Sequence, residues 1–558
     1  MRYQLASGLL AAAFTALAGC ATPAVDVDEV SRPDFSEAAY RAHIERLSSD
    51  DFEGRAPGTR GEEKTLAYLE AAYREAGLVP VAGESYLQPV PMVEIASRPD
   101  DFMDVAGRGQ SIRLAYGDDV VYWTKRPVPE SRVTDAELVF AGYGIVAPEY
   151  GWNDYAGIDM RGKIAVVLVN DPGFATQNPD LFTGNAMTYY GRWSYKFEEA
   201  VRQGAAGVLV VHETKAASYP WEVVRNGAAR PQFDLVVEDY EDKRLALEGW
   251  MTQGTAERLL AAAGMDYAAL KQAALDPQSF EARPLGLKAS VGVRNLVRRG
   301  ESFNVVGVVP GSERPDEYFL YTAHWDHLGR IPSLGRTEAD TVFNGAIDNA
   351  TGTAALLELA RVFGKTKPVP DRSIMFVAFT LEESGLLGSQ SFAENPPVPV
   401  AKMVGGINMD GLDMIGRTGS VSVVGYDASE LDDYLRRAVA SQKRTAEPEP
   451  TPESGYYYRS DHFNLAKQGV PMLYFESGID HLEHGPDYGR AWQEDYRANR
   501  YHKPSDEYDP SWDVSGVLED LELYYVVGLA VANSDSWPNW RPGGEFRAIR
   551  DESRAALQ

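Results

Sequence analysis

Seven polar side chains with metal-binding chemistry stand where this chain leaves predicted strands or passes through short loops. They are two histidines and five acids: His324, Asp326, Asp348, Glu382, Glu383, Asp410 and His502. Imidazole and carboxylate groups without a thiolate suit zinc. Two histidines with three of the acids suit a pair of ions that share a carboxylate better than a single four-coordinate ion. Two ions a few ångströms apart can polarise a carbonyl and generate hydroxide together.

The adjacent acids Glu382 and Glu383 follow the apolar run 374–379. A run of this length that ends in polar residues and Gly385 predicts a buried strand that enters a loop. Taken alone, the pair would also fit the acidic first turn of a helix. The other candidate residues decide between these two interpretations.

Polar residues also follow two further predicted strands. His324 and Asp326 follow the apolar segment 318–323, and Asp410 follows the segment 404–409. Helical spacing of apolar residues between the strands, as over 356–363, predicts an α/β fold with a largely parallel sheet covered on both faces. The ends of such strands meet at one edge of the sheet. Unpaired carboxylates buried there would cost several kcal/mol unless a cation offsets them.

Two loops complete the set. Asp348 lies in the glycine-flanked loop 344–352 before a predicted helix, and His502 lies in the late loop 501–507.

A serine-hydrolase site is excluded because Ser384, in Glu-Ser-Gly, does not match the Gly-x-Ser-x-Gly turn.

Length and charge limit the remaining possibilities. The 558 residues predict two or three domains, and the net charge of -28 argues against nucleic acid or an anionic membrane surface as a partner.

The first residues are typical of an export signal. Arg2 precedes the apolar stretch 5–18, which is too short to span a bilayer, and residues 17–20 resemble the bacterial lipoprotein box. Cys20 is the only cysteine, so no intramolecular disulfide can form. We therefore expect a signal peptide over 1–20, lipid attachment at Cys20, a tether over 21–33 and a cell-envelope lipoprotein, sorted to an outer membrane because Ala21 follows. An ordinary signal peptide with a chance cysteine is the alternative.

The folded region divides into a split domain and an insert. We predict a catalytic domain from residues 34–110 and 286–535, and a tail over 536–558 that is poorly packed from about Asn539. Residues 111–285 contain short β-like runs and glycine turns, and resemble the protease-associated domain. No cluster there has nucleophile or metal spacing, so a lid or substrate-orienting role and a purely structural role both remain open.

The order of the motifs resembles the co-catalytic dizinc aminopeptidase family of secreted bacterial enzymes. The pattern is His-x-Asp, Gly-x-x-Asp-Asn-x-x-Gly, Glu-Glu, Asp and then His, and this chain contains every member in order within 303–510. The resemblance implies a mixed, mostly parallel sheet flanked by helices and a cofactor of two Zn²⁺ ions. It also implies that His324 and Asp410 hold one zinc, Glu383 and His502 hold the other, and Asp348 bridges both.

The resemblance further implies three catalytic roles. Glu382 would be the general base, Asp326 would orient His324, and Tyr501 would stabilise the oxyanion. His327 is expected to support the site rather than to bind metal, and Asp506 and Glu507 to be solvated or supporting. The segment Tyr456 to His462 could line a substrate pocket or be a packed cover.

The expected function is therefore a metallo-exopeptidase that removes N-terminal residues from peptides. A dizinc carboxypeptidase or dipeptidase is the main alternative. The sequence shows no obvious arginine cluster to grip a substrate carboxylate, although distant arginines could assemble one. A glutaminyl cyclase and a non-catalytic surface binding protein are weaker alternatives, because the full ligand set is present.

Overall fold

The structure is a computed structural model that describes residues 30, 32–81, 83–331 and 341–556. The predicted signal peptide with Cys20 and most of the tether lie outside these ranges, so both stay predictions. Within the described ranges, no helix is long and apolar enough to cross a membrane.

The α/β part is built from the two ends of the chain. Its strands are Val79–Pro80, Arg314–His324, Gly329–Arg330, Val342–Phe343, Arg372–Phe379, Met403–Asn408, Ser420–Val423, Thr445–Pro448 and Met472–Ser477, with the end of the long strand Arg283–Val309. Its α-helices are Glu37–Leu47, Arg60–Glu75, Gly352–Lys365, Leu387–Glu394, Leu431–Ser441, His462–Lys467, Pro486–Asn499, Ser515–Ala532 and Arg547–Ala555.

The central strands of this part are parallel. Strand Arg314–His324 pairs in parallel with Arg372–Phe379 on one side and with Met403–Asn408 on the other. Met403–Asn408 pairs in parallel with Met472–Ser477, whereas Arg283–Val309 joins the sheet antiparallel. The predicted mixed, mostly parallel sheet is therefore confirmed, and the central strands end at one edge.

The strand before the two glutamates shows why its sequence is continuously apolar. Every residue of Arg372–Phe379 is buried. Alternate side chains, beginning with Ile374, enter the apolar cluster that includes the helices Glu37–Leu47 and Gly352–Lys365. The intervening side chains, beginning with Met375, enter a second cluster on the opposite face. Because both faces are covered over 374–379, both sets of positions there are apolar.

The intervening region has cores of its own. Its strands are Leu87–Pro99, Phe102–Gly107, Gln110–Ala115, Val120–Trp123, Glu130–Phe140, Val146–Ala147, Trp152–Asn153, Ile164–Leu168, Gly207–His212, Gln232–Leu235 and Leu247–Thr252. Its helices are Pro172–Thr176, Trp193–Arg202, Thr214–Ala217, Trp221–Ala228, Tyr240–Lys243, Gln253–Ala262 and Tyr267–Ala273. Two apolar clusters drawn from residues 103–293 fill it. The antiparallel pairing of Leu87–Pro99 with Arg283–Val309 connects it to the α/β part. Its identification as a protease-associated domain remains a prediction.

The prediction of a poorly packed tail is wrong. Trp540, Phe546 and Arg550 are buried, and the tail ends in the helix Arg547–Ala555. The Trp540 indole donates a hydrogen bond to the Gly469 carbonyl over 2.9 Å. The arginines that made this segment look solvated instead cover an aromatic ring, since Arg554 lies 3.2 Å from the centre of Trp537.

Candidate metal centre

The parallel strands bring three of the predicted motifs to one edge of the sheet. His324 is the last residue of its strand, and Asp410 follows the neighbouring strand after a gap of one residue. Glu382 and Glu383 begin a tight turn that is entered through Leu381, whose φ is 55°. A left-handed conformation is unfavourable for leucine, and burial of its side chain holds it there.

The loop that carries Asp348 is fixed by a buried acid from the other end of the chain. The Asp506 carboxylate accepts hydrogen bonds from the backbone nitrogens of Ile347 and Asp348, each over 3.1 Å. Burial raises the pKa of Asp506 to about 7, an effect that those two hydrogen bonds oppose. Asp506 is therefore a supporting residue and is not solvated.

Arg55 is a supporting residue that the sequence did not single out. Its guanidinium is buried and donates to the carbonyl oxygens of Trp325, Asn344 and Gly345 over 2.9, 2.7 and 2.9 Å. Its hydrogen bonds thus connect the loop after His324 to the loop before Asp348. Its loop carried only turn signals, because these three partners lie 270 or more residues away.

The first group of candidate ligands contains one histidine and two acids. Nε2 of His324 lies 3.0 Å from Oδ1 of Asp410 and 3.3 Å from Oδ1 of Asp348. One potential ligand atom from each of these three residues lies within 4.8 Å of the others. Nδ1 of His324 lies 3.1 Å from the backbone oxygen of Asp326, which can only accept. Nδ1 therefore carries a proton, which leaves Nε2 as the ring nitrogen that would bind a metal ion.

The second group uses the other oxygen of Asp348. Oδ2 of Asp348 lies 3.1 Å from Nε2 of His502, which is also 3.3 Å from Oε2 of Glu383. His327 reaches the same group, because its Nδ1 lies 2.6 Å from Oε1 of Glu383. One potential ligand atom from each of His327, Asp348 and Glu383 also lies within 4.8 Å of the other two. The two groups therefore share Asp348, and both His327 and His502 face the second one.

The residues present fit metal ions. Tetrahedral zinc with ligands at 2.0–2.1 Å has ligand atoms separated by about 3.3 Å, close to the separations observed here. Nε2 of His327 is buried and has no hydrogen-bond partner among the described residues, and Nδ1 meets Oε1 of Glu383 only in a 2.6 Å contact of poor hydrogen-bond geometry. Buried polar atoms left in this way require a partner, and a cation would supply one.

The charges at the site support the same conclusion. Burial opposes a charge on His324, but Asp410 and Glu382 outweigh it and raise the pKa of His324 well above its usual value. Burial also opposes the charge on Asp348, but hydrogen bonds from His324 and His502 hold its pKa well below the usual range. The acids at this edge therefore favour a positive charge between them, from a proton or from a metal.

Glu382 is near the first group, and no described residue donates a hydrogen bond to its carboxylate. Its Oε2 lies 4.0 Å from Nε2 of His324. Burial raises the pKa of Glu382 well above its usual value, opposed by His324 and reinforced by Asp410. Burial next to other acids thus makes this carboxyl a stronger proton acceptor than an exposed glutamate.

Tyr501 lies against the second group. Its ring stacks on the His502 imidazole with centroids 3.9 Å apart, and its hydroxyl accepts a hydrogen bond from Nη2 of Arg459 over 2.9 Å. Burial raises the pKa of Tyr501, so the hydroxyl keeps its proton and remains a donor.

The segment Tyr456 to His462 contributes Ser460 as well as Arg459. The Ser460 hydroxyl donates to Oδ2 of Asp410 over 2.6 Å, and thus fixes the oxygen that does not face His324. No local spacing in the sequence signalled this contact.

Comparison with known proteins identifies this part of the chain. A sequence model of Peptidase family M28 matches residues 304–526. A "Probable zinc metalloprotease" of Pyrenophora teres f. teres (strain 0-1) is 40% identical over 117 residues, which are 20% of this chain and 23% of that protein. "Aminopeptidase NAALADL1" of Mus musculus is 36% identical over 115 residues, which are 20% of this chain and 14% of that protein. The chain therefore spans less than a quarter of the length of these curated relatives.

Among solved structures, an aminopeptidase from Aneurinibacillus sp. strain AM-1 is similar to 90% of this chain and 94% of its own, with a TM-score of 0.47 and 20% identity. The matched segment 304–526 contains all of the candidate metal ligands. The part of the chain that resembles Peptidase family M28 is therefore the part that carries the candidate metal centre.

Proposed function

We propose that this protein is a dizinc exopeptidase that hydrolyses the N-terminal peptide bond of peptides. The observation that carries the proposal is the position of Asp348, whose Oδ1 faces His324 while its Oδ2 faces His502. One carboxylate that presents an oxygen to each of two ligand groups is what two adjacent ions would require.

His324, Asp410, Asp348, Glu383 and His502 would hold the two ions, with His327 as a further donor beside Glu383. Zinc bound there would activate a water molecule and polarise the substrate carbonyl. Proton transfer and stabilisation of the developing negative charge would be carried out by side chains of the protein.

Glu382 would act as the general base and then as the general acid. Its carboxylate takes a proton from the attacking water and returns it to the leaving amine. The raised pKa of Glu382 suits this exchange, as does a carboxylate to which no described residue donates a hydrogen bond. The Tyr501 hydroxyl, oriented by Arg459, would donate to the oxygen on which negative charge develops.

A dizinc carboxypeptidase or dipeptidase is the alternative within the same fold, because the ligand groups alone do not distinguish the two ends of a peptide. Glutaminyl cyclisation and ligand binding without catalysis receive less support, since every position of the predicted ligand set is filled.

The lipoprotein signal supports a location for this activity. We propose that lipid on Cys20 anchors the mature protein in the cell envelope, facing the periplasm or the cell surface. Cys20→Ser should then move the protein from the membrane fraction to the soluble fraction. Retention in membranes would contradict the anchor.

Matched chromogenic substrates test the exopeptidase proposal. We expect zinc-loaded protein to release the chromophore from aminoacyl substrates with a free amine, and to act far more slowly on their N-acyl counterparts. Glu382→Gln protein, purified in parallel, controls for contaminating peptidases. Equal rates of hydrolysis of the free and blocked substrates would refute the aminopeptidase assignment. If the protein hydrolysed no peptide at all, the peptidase proposal would be refuted.

A further inference from the structure

The segment 452–463 contacts both the insert and the residues around the candidate metal centre. On the metal side, the Ser460 hydroxyl donates to Oδ2 of Asp410, and the Arg459 guanidinium donates to the Tyr501 hydroxyl. The structure describes the whole segment, and no strand or α-helix begins in it before its last two residues. Because no regular element holds these side chains, their positions depend on what packs against the segment.

The insert binds the beginning of this segment through two hydrogen bonds. The Asn185 side-chain amide donates to Oε2 of Glu453 over 2.9 Å, and the Met187 backbone nitrogen donates to the Pro452 carbonyl over 3.1 Å. The buried Met187 side chain also covers Gly455, where an added Cβ would lie 2.5 Å from its sulfur. Gly455 has a φ of 64°, so both its conformation and this close approach require glycine.

Tyr189 of the insert extends the contact along the segment. The centre of its ring lies 5.8 Å from that of Tyr458 and 5.1 Å from that of Phe463. Phe463 is buried in an apolar cluster that also contains Trp540 and Phe546 of the tail. The segment is therefore packed against both the insert and the tail.

The insert holds Tyr189 in a defined position. Its hydroxyl donates to Oε1 of Glu198, in the helix Trp193–Arg202, over 2.6 Å. The preceding residue, Thr188, donates to the buried Asp171 carboxylate from its backbone nitrogen and its hydroxyl, over 2.9 and 2.7 Å. The Tyr189 ring is thus fixed from its own domain before it contacts the other one.

We propose that Tyr189 is a positioning residue for peptide hydrolysis, because it holds the segment 452–463 where Arg459 orients the Tyr501 hydroxyl. This inference rests on the proposed function, in which that hydroxyl stabilises the oxyanion. Arg459 directly follows Tyr458, so a shift of the Tyr458 ring moves the backbone that carries the guanidinium. A donor that is displaced from the oxyanion loses much of its effect on the rate. The insert thereby contributes to hydrolysis without touching the substrate.

Removal of the Tyr189 ring should lower kcat without removing metal. We expect Tyr189→Ala to reduce kcat on the aminoacyl chromogenic substrates by about tenfold. KM and zinc content should change little, because Ser460 is held separately by Asn408, whose side-chain amide donates to its hydroxyl over 2.7 Å. Tyr189→Phe keeps the ring and loses only the hydroxyl, so it should retain most of the wild-type kcat.

The neighbouring Tyr190 provides the matched control. Its ring packs on Phe182 and Tyr195, which both belong to the insert. Tyr190→Ala should therefore loosen the insert internally and leave kcat near the wild-type value.

A double-mutant cycle tests whether Tyr189 acts through Tyr501. Tyr501→Phe removes the proposed donor and should itself lower kcat. If Tyr189 serves only to position that donor, Tyr189→Ala should cause no further loss in the Tyr501→Phe protein. A general loosening of the fold would instead lower kcat by the same factor in both proteins.

A change of charge tests the same contact without altering the aromatic ring. Asn185→Asp places a carboxylate against that of Glu453 and should lower kcat several-fold. When Glu453→Gln is added, the two side chains can form a hydrogen bond in the reverse direction, and kcat should return to near the wild-type value. Because this pair leaves the apolar cluster intact, it tests the proposal even if Tyr189→Ala does not fold.

Four results would each overturn the positioning role while leaving the peptidase proposal standing. They are wild-type kcat in Tyr189→Ala, an equal loss in Tyr190→Ala, independent losses from Tyr189→Ala and Tyr501→Phe, and a loss in Asn185→Asp that Glu453→Gln does not restore. Wild-type kcat in Tyr501→Phe would remove the donor and this inference with it. If the wild-type protein hydrolysed no aminoacyl substrate, the peptidase proposal itself would fail.

Discussion

The backbone nitrogen of Glu382 donates a hydrogen bond to Oδ1 of Asp326 over 3.1 Å. The same Asp326 presents its backbone oxygen, rather than its carboxylate, to Nδ1 of His324, since Oδ1 is 3.8 Å from that nitrogen. Asp326 therefore positions a candidate ligand and the candidate base through two different groups. The resemblance implied only the first of these functions.

This arrangement predicts that Asp326 acts mainly on the glutamate turn. Asp326→Ala removes the acceptor for Glu382 and should lower kcat by about 10- to 100-fold, while the backbone contact to His324 remains. Asp326→Asn keeps an oxygen at the same position and should retain more activity. Steady-state kinetics and elemental analysis of the two proteins provide the measurement. Equal losses in both variants would show that the charge of Asp326 matters more than its hydrogen bond.

Asp348 is expected to control both ions. Because its two oxygens face different ligand groups, Asp348→Asn should lower the zinc content at both positions. Asp410→Asn removes a ligand from the first group alone and should chiefly lose one equivalent. Elemental analysis after dialysis against limiting zinc distinguishes the two patterns. A full equivalent of tightly held zinc in Asp348→Asn would argue against a shared carboxylate.

The catalytic role of Glu382 should be separable from metal binding. Glu382→Gln keeps the shape of the side chain but cannot accept the proton of water, so we expect kcat to fall by about 10²- to 10⁴-fold. Zinc content should stay at the wild-type level, because neither ligand group requires Glu382. If zinc were lost in parallel with activity, the assigned roles of Glu382 and Glu383 would be wrong.

The sequence predicted the sheet and the convergence of the candidate ligands, because both are visible in the local pattern of apolar and polar residues. The run Ile374 to Phe379 is apolar at every position since both faces of its strand are covered, and the polar residues begin where the strand ends. Arg55 left no such signal. It acts mainly through carbonyl groups that are distant in sequence, whereas periodicity shows only whether a residue's own surroundings are apolar. The tail was mispredicted because arginines that pack on aromatic rings are indistinguishable, in sequence, from solvated ones.

Arg55 should therefore be more important for stability than its loop suggests. Arg55→Met leaves the carbonyl groups of Leu47, Trp325, Asn344 and Gly345 without their buried donor. We expect the free energy of unfolding to fall by at least about 3 kcal/mol, with weaker zinc binding as both loops loosen. Chemical denaturation measures the first effect and zinc titration the second. The nearby exposed Arg60→Met is the control, and similar behaviour of the two variants would refute the proposed role.

His462 should make the protein sensitive to mild acid. Its imidazole is fully buried against Tyr457 and Tyr474, and neither ring nitrogen has a hydrogen-bond partner among the described residues. Burial lowers the pKa of His462 to about 3. In the unfolded chain the pKa is about 6.5, so between these two values the unfolded chain binds a proton that the folded chain excludes.

The sign of the effect follows from this difference. The contribution of neutral His462 to stability is complete above pH 6.5 and is lost progressively as the pH falls toward 3. Between pH 7 and pH 5 the loss should be about 2 kcal/mol. His462→Phe removes this titration, so its free energy of unfolding should fall less than that of the wild type over the same interval. The exposed His484→Gln should follow the wild type. Other titrating groups are common to all three proteins and cancel in the comparison, so an equal acid dependence in His462→Phe would show that His462 is not excluded from protonation in the fold.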